Sequence, residues 1–238
     1  MWPLWGALAG AIAGSFLATL ILRWEAGLSV TSGRSRCDGC GRTLSARELV
    51  PVVSGLLLRR CATCRTPIAG LHTGVEIASA GLCAAAFALA PPVAAAVWSV
   101  AGLMLLVLAM LDWRGLWLPD ALTLPLAILG LLAGGWASGV PTLDRVIGGA
   151  AGWAVMAALG VGFRRLRGVE GLGGGDPKLA GAVGCWIGWT PLPAFWALAG
   201  LIGLALAVAR PRSGEGPILV PFGTALALAA LPAWWLSP

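Results

Sequence analysis

Near its middle the chain reads Leu103-Met104-Leu105-Leu106-Val107-Leu108-Ala109-Met110-Leu111-Asp112, an unbroken apolar run that ends in an acid. Hydrophobic residues make up 58% of the chain and charged residues 11%. In soluble domains, hydrophobic residues average about 45–50% and charged residues about 25%. A run of this composition fits the hydrocarbon core of a bilayer. The sequence therefore predicts an all-α polytopic membrane protein.

The apolar segments predict about eight transmembrane helices. Seven segments approach the length of about 20 residues that a helix needs to cross a bilayer. They cover 4–22, 73–90, 93–111, 121–138, 146–163, 193–209 and 218–236. An eighth segment, 179–190, would form a helix only about 18 Å long. We expect this short helix to turn at Thr190-Pro191-Leu192-Pro193, because the charge pattern below requires it to cross.

The basic residues are distributed unevenly between the two sides that these crossings define. With eight crossings, the loops 23–72, 112–120, 164–178 and 210–217 share one side and hold nearly all of the 16 Lys and Arg residues, with Arg145 as the exception. The positive-inside rule makes that side cytoplasmic. The concentration of basic residues on the cytoplasmic side thus explains the pI near 9.6. Because the basic residues are spread over separate loops, we expect the lipid bilayer as a partner and no nucleic acid.

One polar segment divides the chain into three parts. Residues 1–22 are predicted to form the first transmembrane helix, and residues 23–72 a cytoplasmic four-cysteine module. Residues 73–238 are predicted to form a helical membrane body. The polar module has few large apolar side chains, so we expect it to need a further source of stability.

Four cysteines in this module are candidates for the additional source of stability. The pairs Cys37-Asp38-Gly39-Cys40 and Cys61-Ala62-Thr63-Cys64 are separated by 20 residues. This spacing predicts a small zinc-binding loop module in which Cys37, Cys40, Cys61 and Cys64 hold a structural zinc ion. Two disulfides are the alternative, which a reducing cytoplasm disfavours. Cys83 and Cys185 lie within apolar runs and are predicted to be packed small side chains.

Two of the ten acidic residues are candidate catalytic groups. Asp112 ends the third span, and Asp176 follows the glycine-rich loop Gly171-Leu172-Gly173-Gly174-Gly175. An acid at the end of an apolar span is costly to ionise and usually has a function. If the two carboxyl groups converge, they hold one proton between them and can act as acid and base together. This is the chemistry of an aspartyl protease.

Three further charged residues have structural interpretations. Asp120 precedes an apolar run and is expected to cap the helix that it begins. Lys178 is either an anchor at the membrane surface or a partner that holds Asp176 ionised. Glu76 lies just inside the second span, where it pairs with a loop arginine, caps the helix or contacts substrate. We favour a structural role for Glu76.

Motifs in a fixed order run along nearly the whole chain. They are Gly14-Ser15-Phe16-Leu17, the two cysteine pairs, Val50-Pro51 with Ser54, Glu76, Asp112 with Leu118-Pro119-Asp120, Leu122-Thr123-Leu124-Pro125, Glu170-Gly171 through Gly175-Asp176, Lys178-Leu179 and Pro221-Phe222-Gly223. In this order and spacing they resemble the type IV prepilin peptidases, which are membrane aspartyl proteases of the Gly-x-Gly-Asp kind.

The resemblance implies a function, a substrate and a location. Family members remove the short basic leader of type IV prepilins or pseudopilins at the cytoplasmic face of the bacterial inner membrane, using two aspartates that match Asp112 and Asp176. Many members also methylate the new N-terminus with S-adenosylmethionine, an activity associated with their cysteine-bearing loop. In that loop Arg47, Leu49 and Gly55 depart from the family pattern.

Two other classes of protein fit parts of the sequence. A transporter with a zinc-stapled cytoplasmic loop would use its acids to bind ions or protons. Transporter sites lie near the middle of the bilayer, whereas both acids here lie at span ends on one side. A non-catalytic assembly factor that keeps the family scaffold is the second alternative. Assays of leader cleavage and of ion flux separate the three classes.

Overall fold

The computed structural model describes most of the chain. The described residues are 1–28, 35–37, 39–45, 48, 50–52, 60–67, 70–169, 171–209 and 220–233. Outside them lie the motif residues Ser54 and Glu170, the departures at Arg47, Leu49 and Gly55, and the predicted loop 210–217.

Eight helices form within the described residues, as the apolar runs predict. They are α1 (Trp2–Glu25), α2 (Gly70–Leu89), α3 (Pro92–Gly115), α4 (Asp120–Ser138), α5 (Thr142–Arg167), α6 (Asp176–Ile187), α7 (Leu192–Ala209) and α8 (Phe222–Ala233). Six of them, α1 to α5 and α7, have the length and hydropathy of membrane-crossing helices. Pairing between extended segments in the described part is limited to two isolated bridges. The prediction of an all-α polytopic membrane protein is therefore confirmed.

The short eighth segment forms a helix of its own. α6 has 12 residues and ends before Gly188, whose φ of 75° breaks the helix. The chain then turns, and α7 begins at Leu192 as a separate helix. The prediction of a short helix followed by a turn near Thr190 and Pro191 is thus confirmed. The last helix, α8, is described up to Ala233.

The chain divides into two compact units, Met1–Ser99 and Val100–Pro238, with the boundary inside α3. In the first unit α1 packs along α2. A Cβ atom on Gly10 of α1 would lie 2.9 Å from the Cβ atom of Cys83 on α2, so a glycine is needed there for the close approach. The division at residues 22 and 72 stays a prediction about the roles of the segments.

α6 is an internal helix of the second unit. It packs against α4, α5 and α8, and α7 packs against α8. Every residue from Leu179 to Ile187 is buried, and the indole N–H of Trp186 donates to the carbonyl oxygen of Leu126 on α4 at 2.8 Å. Because protein surrounds this helix, its position is fixed by three neighbours. The first turn, from Asp176 to Lys178, precedes this enclosed stretch.

Arg145 proves to be a structural residue. It is the basic residue that the predicted topology assigns to the opposite side of the membrane, and it is only 4% exposed. Its guanidinium donates to the carbonyl oxygens of Leu131 at 2.8 Å and Val140 at 3.0 Å, and to the hydroxyl of Thr142 at 2.9 Å. These bonds join the end of α4 to the start of α5. A buried cation that is fully engaged in the fold does not count as a surface charge.

Candidate active site and metal-binding cluster

Asp112 lies in the last turn of α3 and is 4% exposed. The backbone N–H of Thr224 donates to its Oδ2 atom at 2.6 Å, and the hydroxyl of Thr224 lies 3.0 Å from the same oxygen. Thr224 belongs to the first turn of α8, where backbone N–H groups have no partner within the helix. The start of α8 therefore holds the carboxyl group of Asp112 in place.

Asp176 is the first residue of α6 and is 5% exposed. Its Oδ2 atom accepts the N–H of Gly173 at 2.9 Å, and its own N–H donates to the carbonyl oxygen of Gly173 at 3.2 Å. Pro177 follows in the first turn, a position that tolerates proline because its N–H would have no helical partner. The glycine-rich loop thus folds back on the carboxyl group that it precedes.

Leu118 packs against residues that lie beside each of the two aspartates. A Cβ atom on Gly175, next to Asp176, would lie 2.7 Å from Leu118 Cβ. A Cβ atom on Gly223 would lie 2.7 Å from Leu118 Cδ1 and 2.9 Å from Asp112 Cγ. The structure therefore brings both predicted site residues into one buried region of the second unit.

The interpretation of Asp120 as a helix cap is wrong. Pro119 occupies the N-cap position of α4, which has no side-chain cap hydrogen bond. Asp120 instead accepts hydrogen bonds from the ammonium group of Lys178, whose Nζ atom lies 2.7 Å from Oδ1 and 2.9 Å from Oδ2. Neither alternative considered for Lys178 includes this partner. The two residues are far apart in the chain, and no spacing rule predicts their contact.

Sequence reasoning also missed Thr224. It follows Pro221-Phe222-Gly223, the last motif of the chain, and it contacts Asp112 through both its N–H and its hydroxyl. The position of that motif at the start of an apolar run was the available signal, because helix starts offer free N–H groups to acids.

The four predicted zinc ligands lie together in the first unit. The Sγ atoms of Cys37, Cys40, Cys61 and Cys64 all lie within 4.8 Å of one another. Two of these distances are 3.6 Å and 4.0 Å. A tetrahedral zinc ion with Zn–S bonds of about 2.3 Å requires sulfur atoms about 3.8 Å apart. The cluster could therefore hold a metal ion of this size, whereas Cys83 and Cys185 are buried elsewhere as predicted.

The two cysteine pairs share two backbone features. In each, the N–H of the first cysteine donates to the carbonyl oxygen five residues later, at 2.8 Å for Cys37 and 2.9 Å for Cys61. The residue after the second cysteine has a positive φ in both, 69° at Gly41 and 59° at Arg65. Such a turn directs the two thiols and nearby N–H groups to one point, which is the arrangement that a metal ion requires.

Arg42 supports the cluster from outside. It forms an ion pair with Glu48, with Nη1 3.2 Å from Oε2, and its Nη2 atom lies 3.7 Å from Cys61 Sγ. Backbone N–H groups of Cys64 and Thr63, together with this guanidinium, lower the pKa of the Cys61 thiol to about 5. Cys61 is therefore disposed to be a thiolate, the form that binds metal.

Glu76 has the structural role that the sequence favours. It is 4% exposed on α2, and it accepts the N–H of Val52 at 2.6 Å. Val52 lies in the segment between the two cysteine pairs and has a φ of 64°. The carboxyl group thus fastens that segment to α2.

Two family models match the chain. The bacterial peptidase A24 N-terminal domain covers residues 8–90, and the type IV leader peptidase family covers residues 99–208. A prepilin leader peptidase/N-methyltransferase of Burkholderia pseudomallei (strain 1026b) is 37% identical over 92% of this chain and 80% of its own length. The chain belongs to the type IV leader peptidase family.

Two further relatives support the same family assignment. Proteins of the same name from Burkholderia pseudomallei (strain K96243) and Aeromonas hydrophila are 41% and 39% identical. Each aligns with 82% of this chain, and the chain spans 64% and 69% of their lengths. No solved structure matches this chain. The family models cover Asp112, Asp176 and all four clustered cysteines.

Proposed function

We propose that this protein is a membrane aspartyl endopeptidase that removes the leader peptide of type IV prepilins or pseudopilins. The observation that carries the proposal is the placement of Asp112 and Asp176. Both are at helix ends, both are about 95% buried, and Leu118 packs against the glycine beside each of them. Membership of the leader peptidase family supports the same reaction.

The proposed mechanism uses one water molecule and one shared proton. Asp112 and Asp176 hold the water between them, with one carboxyl group ionised and the other protonated. The ionised group takes a proton from the water as the oxygen attacks the scissile carbonyl carbon, and the protonated group hydrogen-bonds the developing oxyanion. Proton transfer to the leaving amine then breaks the C–N bond, which gives a carboxylic acid and a new N-terminal amine.

The proposed setting is the bacterial inner membrane, with the basic loops and the aspartates toward the cytoplasm. A prepilin helix would enter from the lipid and present its leader at that side. Because the basic loops would repel a basic leader, apolar contacts with the helix provide the docking. Reporter fusions in the loop 116–119 and in the α4–α5 turn test the orientation. A cytoplasmic α4–α5 turn would contradict it.

Leader cleavage in a defined system tests the proposed function. The purified protein is reconstituted in liposomes with a prepilin precursor, and mass spectrometry follows the released leader. We expect cleavage that depends on the protein. A folded protein that leaves several prepilin and pseudopilin precursors intact would instead support a non-catalytic assembly factor, and proton or ion flux across the same liposomes would support a transporter.

We further propose that the cysteine cluster binds one structural zinc ion. Four thiolates complete a tetrahedral site and leave no position for a reactive water, so the metal stabilises the module. The sulfur separations support this assignment, as does the ion pair of Arg42 with Glu48 beside Cys61. Cys37, Cys40, Cys61 and Cys64 would each supply one sulfur.

Replacing Cys61 by alanine is expected to remove the zinc. Elemental analysis of the purified wild-type protein should give about one zinc per chain, and the Cys61→Ala variant should retain little of it. Cys83→Ala is the matched control, because that thiol is buried on α2 outside the cluster. Full zinc content in Cys61→Ala, or disulfides in place of free thiols in the wild type, would contradict the assignment.

Methyl transfer is the second proposed activity. The similar proteins are named N-methyltransferases, and this chain keeps the four-cysteine cluster in the matching N-terminal domain. S-adenosylmethionine would be the methyl donor for the new N-terminus. The segment 53–59 lies outside the described residues, and we assign no residue to the donor. Incubation of cleaved product with the donor tests the activity, since a product mass without an added methyl group would count against it.

A further inference from the structure

We propose that Asp120 and Lys178 are positioning residues that set the separation of the two aspartates. The proposal rests on the proposed function, because it concerns the geometry of that reaction. Together with Leu118, the pair holds the segment between α3 and α4 against the first turn of α6. That segment follows Asp112, and that turn begins with Asp176.

The ion pair joins two helix starts. Asp120 begins α4, and Lys178 lies two residues after Asp176 in the first turn of α6. Both carboxyl oxygens of Asp120 lie within 2.9 Å of Lys178 Nζ. The side chain of Asp120 makes no capping bond to its own helix, so this contact is its observed role. We expect loss of the pair to release the first turn of α6 from the start of α4 and to shift it slightly.

Leu118 transmits such a change to Asp112. The leucine is 8% exposed and touches Gly175 and Gly223 closely enough that neither could carry a side chain. Gly223 in turn contacts the carboxyl group of Asp112. The segment therefore contacts the chain beside both aspartates, and the ion pair fastens its far end.

The exposure of the ion pair distinguishes a positioning role from a contribution to folding stability. The side chains of Lys178 and Asp120 are 43% and 53% exposed, and an ion pair in water contributes little to folding. Turnover is far more sensitive to position, since a displacement of about 1 Å costs roughly 10²-fold in rate. Loss of the pair should therefore reduce kcat while thermal stability and KM stay nearly constant.

Steady-state kinetics with a prepilin precursor test the inference. We expect kcat to fall roughly tenfold in Asp120→Asn and in Lys178→Met, part of the loss that a misplacement of about 1 Å produces. The exchanged variant, Asp120→Lys with Lys178→Asp, should recover most of the wild-type kcat. Asp144→Asn is the matched control, because Asp144 is also an acid in the first turn of a helix. It should leave kcat unchanged.

The outcomes distinguish this inference from the proposed function. A wild-type protein that never cleaves overturns both. If the wild type cleaves and Asp112→Asn does not, but both single variants of the pair keep the wild-type kcat, the positioning role alone is wrong. Single variants that lose activity together with their thermal stability, and that the exchanged charges do not rescue, would also overturn it.

Discussion

Replacing Asp112 or Asp176 by asparagine is expected to abolish leader cleavage, with kcat reduced by at least about 10³-fold. An amide has nearly the size of a carboxyl group, but it can neither take a proton from water nor return one to the leaving amine. Both side chains are buried, and an amide oxygen can accept the backbone N–H of Gly173 or Thr224 as the carboxylate does, so the fold should survive the change. Purified variants are assayed with a prepilin precursor at matched concentration.

The comparison needs a control and a check of folding. Asp144→Asn changes an acid outside the candidate active site and should cleave at the wild-type rate. Thermal unfolding of each variant in detergent should match the wild type. If a well-folded Asp112→Asn or Asp176→Asn variant still released the leader at the full rate, the two-aspartate mechanism would be wrong.

Replacing Gly148 by valine is expected to lower the thermal unfolding midpoint by roughly 5–10 °C. A Cβ atom on this residue of α5 would lie 2.5 Å from the carbonyl oxygen of Gly184 on α6, so the two helix backbones are in contact. Backbone atoms cannot move aside as a side chain can, and the helices would have to separate. Because α6 begins with Asp176, cleavage should fall as well.

A second glycine on α5 provides the control for this prediction. Gly162 has open space around its Cβ position, and Gly162→Val should leave the midpoint unchanged. Both variants add the same side chain to the same helix, so a difference between them reports the helix contact. Equal midpoints for Gly148→Val and the wild type would show that α5 and α6 are not packed backbone to backbone.

Much of the fold was predictable because lipid imposes a simple rule on composition. Apolar runs predicted the eight helices of the described residues, and the charge pattern required α6 to be a separate helix before the turn at Pro191. The grouping of Cys37, Cys40, Cys61 and Cys64 was predictable because metal sites use short, recognisable spacings. These features depend on local sequence.

Features that depend on tertiary contacts were not predictable. Asp120 looked like a helix cap from its neighbours, but Pro119 takes that position and a lysine from a distant helix takes the carboxylate. Thr224 reaches Asp112 only because α8 begins beside the end of α3. Arg145 was the exception to the charge pattern, and the structure shows that it donates to carbonyl groups of a helix hairpin. Each contact joins elements whose packing no local pattern describes.

The two candidate sites place their acidic groups in different environments. In the cysteine cluster, N–H donors and a guanidinium favour the charged form of the Cys61 thiol, which is the form that binds metal. At the candidate active site, two acids are buried in one region, where Gly173 donates to Asp176 and Thr224 donates to Asp112. The first arrangement favours a stable metal complex, and the second favours proton transfer.

An experimental structure with a bound substrate analogue tests the central claim most directly. The analogue is a prepilin peptide that carries a tetrahedral hydroxyl group in place of the scissile carbonyl. Our account predicts that carboxyl oxygens of Asp112 and Asp176 both lie within about 3 Å of that hydroxyl. A hydroxyl bound by neither residue, or carboxyl groups on opposite faces of the membrane, would contradict it.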